Sequence, residues 1–209
     1  MRPPPPAQLV TRTGLRESGE GDDPFDPRIG NAISPNSSHP GRCRARPSVR
    51  LGAVSHGIVG VVAVLTVRTG ETVCGITISS LTPVSFDPPL VVVAIRESSR
   101  IRAVLADAPG FGISVLAADQ ETTARHFASR RRPTGRRQFD GFAIHPGPVT
   151  GSPLLNAALG WLDCRTFRIT PTGDHALVIG EVADEVRNGF SDATPLLHGP
   201  SGYHRLHQT

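Results

Sequence analysis

The stretch from Gly75 to Ile95, GITISSLTPVSFDPPLVVVAI, decides how this chain folds. It predicts a strand that ends in a corner of Thr and Ser residues, a proline-punctuated turn, and a second, fully apolar strand. Hydroxyls and free backbone N–H groups between two strands can hold the edge of a planar polar ligand. A protein with no obvious catalytic side chain can bind a prosthetic group in this way.

Around this stretch, the pattern predicts a mainly β fold. Runs of Val, Ile and Leu indicate strands at 58–68, 72–80, 90–95, 111–116, 158–169 and 175–186. The run 90–95 is apolar on both faces, so we expect it to be central in the sheet. One short helix follows Ser98 and Ser99, and a second runs from an Asp119 cap through Phe127. Six or so strands joined mostly by hairpins, with two short helices, predict a closed or nearly closed antiparallel barrel.

Composition limits the kinds of partner. The net charge of +4 comes from arginine alone, since the 209 residues include no lysine. This excess is mild, and phosphate-bearing cofactors would satisfy it. The three cysteines have no CxxC spacing, so we interpret them as reduced thiols of a cytoplasmic protein and not as a metal site. No membrane span, secretory signal, GxSxG or HExxH motif is found.

Two domains of different character are expected. Residues 1–48 are rich in Pro and Arg and lack periodic apolar positions, so we predict that this segment is disordered. We favour its interpretation as a dispensable leader over that of a binding tail. Residues 50–209 form the folded domain.

The Gly75–Ile95 stretch resembles the flavin-binding segment of the flavin reductase-like family. These are FMN-binding split-barrel reductases that supply reduced flavin to partner monooxygenases. The family usually has Thr-Ala-Asn-Ser where this chain has Thr77, Ile78, Ser79 and Ser80, so the first and last positions match. The resemblance implies that these four residues lie at the edge of the flavin ring.

Two other segments carry the same resemblance. In 96–100, which reads RESSR, it implies that Ser98, Ser99 and Arg100 lie toward the flavin phosphate, at a helix start that favours anions. In 202–206, which reads GYHRL, it implies that His204 lies beside the nicotinamide.

Three further segments have structural or open interpretations. Trp161, in a match over 158–165, is expected inside the barrel or at a subunit contact. His175, in the Gly-Asp-His match at 173–175, either faces the flavin pocket or caps a turn. The arginine segment, residues 130–137, is by default a solvated loop, with the specific hypothesis that it attracts cofactor phosphates.

The implied protein is a split β-barrel homodimer that reduces FMN or FAD with NADH or NADPH and passes the reduced flavin to a monooxygenase. No catalytic side chain is assigned, because the hydride moves directly between the two cofactors. Nucleic acid is not an expected partner. Two alternatives stay open: a split-barrel oxidoreductase that retains its flavin and acts on its own substrate, and a basic β-barrel that binds nucleic acid or a protein.

Overall fold

The computed structural model describes residues 57–188 and 193–206, so the prediction for residues 1–48 lies outside the described part. The described residues form mainly antiparallel β structure with two short α-helices, in agreement with the sequence. The strands are β1 (Gly60–Val61), β2 (Ala63–Thr69), β3 (Thr72–Ile78), β4 (Thr82–Phe86), β5 (Pro89–Arg96), β6 (Gly110–Val115), β7 (Ile144–Pro146), β8 (Pro153–Leu155), β9 (Gly160–Thr172), β10 (His175–Arg187), β11 (Leu197–Gly199) and β12 (Gly202–His204). The helices are α1 (Arg100–Asp107), α2 (Glu121–Ala128) and a 3-10 helix (Gly135–Phe139).

One seven-stranded antiparallel sheet dominates, with the order β3-β2-β6-β9-β10-β5-β4. One end of this row, β3, meets β5 near the other end at one corner. The Ser80 hydroxyl, just beyond β3, accepts a hydrogen bond from the Ala94 N–H at 3.0 Å and donates to the Ala94 carbonyl at 3.3 Å on β5. The row of strands therefore curls round on itself, as the predicted barrel requires.

The hairpin turns follow the predicted glycines. The β2–β3 turn has Gly70 at φ 55°, and the β9–β10 turn has Gly173 at φ 66°. Both values lie in the left-handed region, which residues with a Cβ atom rarely adopt.

Two apolar clusters cover the two faces of β2. Ala63, Leu65 and Val67 belong to a cluster that also contains Val93, Ile95, Phe111, Ile113 and the α1 residues Ile101 and Leu105. Val62 and Val64 face the other cluster, with Leu116, Ala124, Phe127 and Phe139. Because α1 packs on one face and α2 on the other, β2 is buried on both sides and both helices are fixed against the sheet.

The predicted central place of 90–95 is wrong. β5 lies one strand from the end of the row, beside β4. Val91, Val93 and Ile95 are buried, whereas Leu90 and Val92 on the other face are only half-buried. The residues 82–86, expected in a turn, form the exposed strand β4, so the tight turn is limited to Asp87 and Pro88.

Asp119 does not cap α2. The backbone N–H of Gln120 donates to the Ala117 carbonyl, so Asp119 lies inside a turn that precedes the helix. Gln120 occupies the N-cap position. Its side chain accepts from the Ala117 N–H at 2.8 Å and donates to the Ala157 carbonyl at 2.9 Å.

The count of about six strands is also too low. The run 58–68 is divided into β1 and β2 at Val62, whose N–H donates to the Leu196 carbonyl at 2.8 Å. β1 then pairs with β11, which pairs with β12 in a separate three-stranded sheet.

Candidate functional site

The corner after β3 is where the four residues at the predicted ring edge lie, and they have different surroundings. Thr77 is half-buried, and its hydroxyl donates to the Ala124 carbonyl of α2 at 2.6 Å. Ile78 is 5% exposed and packs in the core, so only its backbone could meet a ligand. The Ser80 hydroxyl is engaged with Ala94 on β5.

Ser79 is the exposed member of the four. Its hydroxyl makes no hydrogen bond to another residue of the described ranges and is available to a ligand. β1 crosses directly beside it, because a side chain at Gly60 would overlap the Ser79 carbonyl. Gly60 is therefore required by close approach, and it pairs with His198 on β11.

The C-terminal strand reaches the same corner through β11. His204 on β12 pairs with Leu197, and its Nε2 lies 3.2 Å from the Ser201 Oγ. The His204 ring and the Val59 side chain both lie against Gly199. Tyr203 beside it packs on the cluster that contains Ala124 and Phe127, and the Arg125 guanidinium lies 5.1 Å from the centre of its ring. Through Tyr203, β12 therefore contacts α2, the helix that Thr77 also contacts.

The segment around α1 presents its charge to solvent. Ser98 and Arg100 are exposed, and Ser99 takes the N-cap position without a side-chain capping hydrogen bond. Within the described ranges, Arg100 has no carboxylate within ion-pair distance. The neighbouring Arg102 does, since its Nε lies 3.2 Å from Glu97.

Cys74, on β3, is a half-buried thiol. Burial raises the pKa of its thiol, and the Arg132 and then the Arg100 guanidinium oppose that rise. Both positive charges therefore act on the same half-buried side chain. Cys164 is fully buried, and desolvation raises its pKa to about 12, so it is a neutral thiol at neutral pH.

His175 lies at the tip of the β9–β10 hairpin. Its Nδ1 is 2.7 Å from Asp174 Oδ1, and this hydrogen bond is the largest cause of the lowered pKa of the Asp174 carboxyl. The contact favours the turn-capping interpretation. Trp161 is half-buried, with its ring edge-on to His145 at 5.2 Å between centroids.

Sequence reasoning missed two features. Gln138, 2% exposed, binds the outer edge of β3, with its Oε1 accepting from the Gly75 N–H at 2.8 Å. No sequence signal marks this glutamine, because its partner is 63 residues away. The second is a largely apolar groove of about 630 Å³ formed by residues of β4, β5, β9 and β10. None of the residues predicted to bind a cofactor lines it. Its lining is mainly apolar but includes two acids, and its members include Pro83, Phe86, Leu90, Leu162, Val182, Asp184 and Glu185.

Nothing in the described ranges forms a membrane span or a metal cluster. Neither α-helix there is long and apolar enough to cross a bilayer. No three His, Cys, Asp or Glu side chains of these ranges come together as metal ligands would.

Comparison with known proteins gives one consistent result. The family model described as "Flavin reductase like domain" matches residues 55–207. An NADH-dependent FMN reductase, AsuE2, from Streptomyces nodosus subsp. asukaensis is 34% identical over 81% of this chain and 87% of its own length. The reductase component of 4-hydroxyphenylacetate 3-monooxygenase from Thermus thermophilus is 36% identical over 69% of this chain and 87% of its own length.

An NADH-dependent FAD reductase from Streptomyces globisporus is 40% identical, over 54% of this chain. The match spans 62% of that relative, just under two thirds of its length. Among solved structures, the NADH:FAD oxidoreductase SgcE6 from Streptomyces globisporus C-1027 superimposes with a TM-score of 0.68 and 34% identity, covering 74% of this chain and 90% of that one.

Proposed function

Because the chain belongs to the flavin reductase like family, we propose that it transfers a hydride from NADH or NADPH to FMN or FAD. The reduced flavin is then supplied to a monooxygenase component. The observation that best supports this function is the match to the FMN reductase AsuE2 over 81% of this chain and 87% of that protein. The split-barrel fold predicted from the sequence is confirmed by the agreement with the SgcE6 structure.

The residues at the corner fit a flavin. The exposed Ser79 hydroxyl and the backbone N–H groups after β3 suit the polar edge of the ring. Thr77 keeps its lone pairs for accepting, since its hydrogen is donated to Ala124. Ser98, Ser99 and Arg100 suit a phosphate, because the helix start favours an anion and so does the Arg100 guanidinium, which has no ion-pair partner among the described residues. Ile78 would contribute only its backbone, and Ser80 would support the corner through Ala94.

The protein's task is to orient and to exclude water, because a bound flavin supplies the hydride-accepting chemistry. Ser79 and Thr77 would fix the ring at its polar edge. His204, held near Ser201, would orient the nicotinamide by packing on it or by hydrogen bonding to its carboxamide. Neither role needs a proton transfer, in keeping with the absence of an assigned catalytic side chain.

The apolar groove supports a homodimer. Phe86 is 93% exposed, and the edge strand β4 that carries it has no charged residue. The groove beside this edge strand is largely apolar, with Asp184 and Glu185 also in its lining. Proteins normally cover an exposed, uncharged edge strand beside such a groove. We propose that a second copy of this chain binds at β4 and this groove and forms the homodimer. A cytoplasmic location is consistent with the use of NADH and with reduced thiols.

The test is a coupled assay on the purified full chain. NADH or NADPH oxidation is followed with FMN, FAD or riboflavin as acceptor, and gel filtration then shows whether flavin stays with the protein. We expect flavin-dependent oxidation of reduced nicotinamide and loss of flavin on the column. Retained flavin would favour the alternative of an oxidoreductase with its own substrate, and no oxidation with any flavin would refute the proposal.

A further inference from the structure

Helix α2 contacts both of the strands that carry the predicted ring-edge and nicotinamide residues. The Ala124 carbonyl accepts a hydrogen bond from the Thr77 hydroxyl at 2.6 Å, near the end of β3. The next residue of the helix, Arg125, places its guanidinium 5.1 Å from the centre of the Tyr203 ring on β12. Two consecutive residues of α2 therefore hold β3 and β12.

Arg125 is fixed by Glu121, which lies one helical turn earlier. The Arg125 Nε donates to the Glu121 Oε1 at 2.8 Å, and its Nη2 lies 2.6 Å from the same oxygen. The Arg125 side chain is 66% exposed, so this ion pair contributes little stability. What it does is geometric, because it restricts the guanidinium to a position over the Tyr203 ring.

Tyr203 is the residue through which β12 is placed. The strand has three residues and lies at the edge of its sheet, where it pairs only with β11. So short an edge strand has few backbone hydrogen bonds, and its side chains must supply the rest of its fixation. The half-buried Tyr203 ring packs on the cluster that contains Ala124, and the His198 ring on β11 meets it edge-on at 5.2 Å between centroids.

We propose that Arg125 is a positioning residue for the nicotinamide, acting through Tyr203 on the neighbouring His204. The inference rests on the proposed function, which assigns the nicotinamide to His204. A guanidinium is attracted to the face of an aromatic ring, so Arg125 holds β12 against the helix that also binds Thr77. One helix thereby sets the separation between the ring-edge residues and His204, and a hydride transfer depends on that separation.

The first measurement is NADH binding to the purified full chain without added flavin, followed by nucleotide fluorescence. Arg125→Met removes the charge and keeps the length of the side chain. We expect it to raise the NADH dissociation constant about threefold and to leave that for FMN unchanged. Arg125→Lys keeps a cation and should stay within about 1.5-fold of wild type. Arg168→Met, at an exposed arginine of β9, is the matched control and should bind as wild type does.

A double-mutant cycle tests whether Arg125 acts through the tyrosine. Tyr203→Leu removes the aromatic ring and keeps an apolar side chain against the core. In that background, Arg125→Met should cause no further loss of NADH binding, because the two residues act as a unit. Losses that simply add would show that Arg125 acts independently of Tyr203, and they would overturn the proposal.

The contact itself has a spectroscopic signature, because Tyr203 is the only tyrosine of the chain. Burial raises the pKa of its phenol, the Arg125 charge opposes that rise, and the Glu121 carboxylate adds to it. Arg125→Met should therefore raise the pKa further, as measured by tyrosinate absorbance, and Arg168→Met should not change it. An unchanged phenol pKa in Arg125→Met would show that the guanidinium does not lie against the ring, and the proposal would fall.

The outcomes separate this inference from the proposed function. Flavin reduction by the wild type together with unchanged NADH binding in Arg125→Met would overturn the positioning role and leave the function standing. Weaker NADH binding in Arg125→Met, with no NADH oxidation by the wild type with any flavin, would leave the positioning role standing and refute the function. Equal weakening of FMN and NADH would also overturn the role, and a wild type that binds no NADH would overturn both. If Arg125→Met fails to fold, Arg125→Gln takes its place with the same expected loss.

Discussion

Ser79 and Ser80 are neighbours with opposite surroundings. Substituting them one at a time therefore separates an effect on flavin binding from an effect on stability. The Ser80 hydroxyl makes two hydrogen bonds to Ala94, whereas Ser79 is exposed and makes none within the described ranges. We expect Ser80→Ala to lower the free energy of unfolding by about 1–2 kcal/mol. Ser79→Ala should leave it unchanged but raise the FMN dissociation constant several-fold. Urea unfolding and fluorescence titration of both variants test this, and a reversal of the two effects would contradict the assignment.

His204 is the residue that we propose to contact the nicotinamide. Its place beside Gly199 and Ser201, on a strand that contacts α2 through Tyr203, suits the proposed role of orienting the nicotinamide. Truncation to alanine should therefore raise KM for NADH about fivefold and leave flavin binding unchanged. Steady-state kinetics measures this, with His175→Ala as control because that imidazole is bonded to Asp174. An unchanged KM for NADH in His204→Ala would remove the residue from the site.

At the scale of elements, the outer edge of β3 is covered by a side chain. Gln138 supplies the acceptor for Gly75 and the donor for Val73 that a neighbouring strand would otherwise provide. Gln138→Ala should cost about 3 kcal/mol, because buried backbone groups lose their partners. Chemical unfolding tests this effect, with the exposed Arg137→Ala as control. Wild-type stability of Gln138→Ala would show that water replaces the amide.

At the scale of the whole molecule, the groove beside β4 is a largely apolar surface of the described residues that we propose a second copy covers. Phe86→Asp would place a charge in the proposed dimer contact, so we expect the dimer dissociation constant to rise at least about a hundredfold. Phe167→Asp is the matched control, because Phe167 is also exposed but does not line the groove. Sedimentation velocity over a concentration series distinguishes the species. A wild-type chain that is monomeric at micromolar concentration would refute the homodimer.

Elements set by local interactions could be predicted from the sequence, whereas those set by contacts between distant residues could not. Local signals gave β2, β3, β9 and β10 and the turns at Gly70 and Gly173, because periodicity and left-handed glycines act over a few residues. β1 and β11 were not predicted, because each forms only by pairing with residues far along the chain, such as Gly60 with His198. For the same reason, the hydrogen bond of Thr77 to α2 and the burial of Ile78 could not be foreseen from the ring-edge motif alone.

The lone indole of the chain, Trp161, gives the protein an intrinsic reporter. Its half-buried ring rests edge-on against His145 at the start of β9, so its emission arises from a single environment. Oxidised isoalloxazine absorbs where tryptophan emits, and bound dye would therefore quench that light by resonance transfer. The occupancy of the protein can be followed in this way without labels and without turnover.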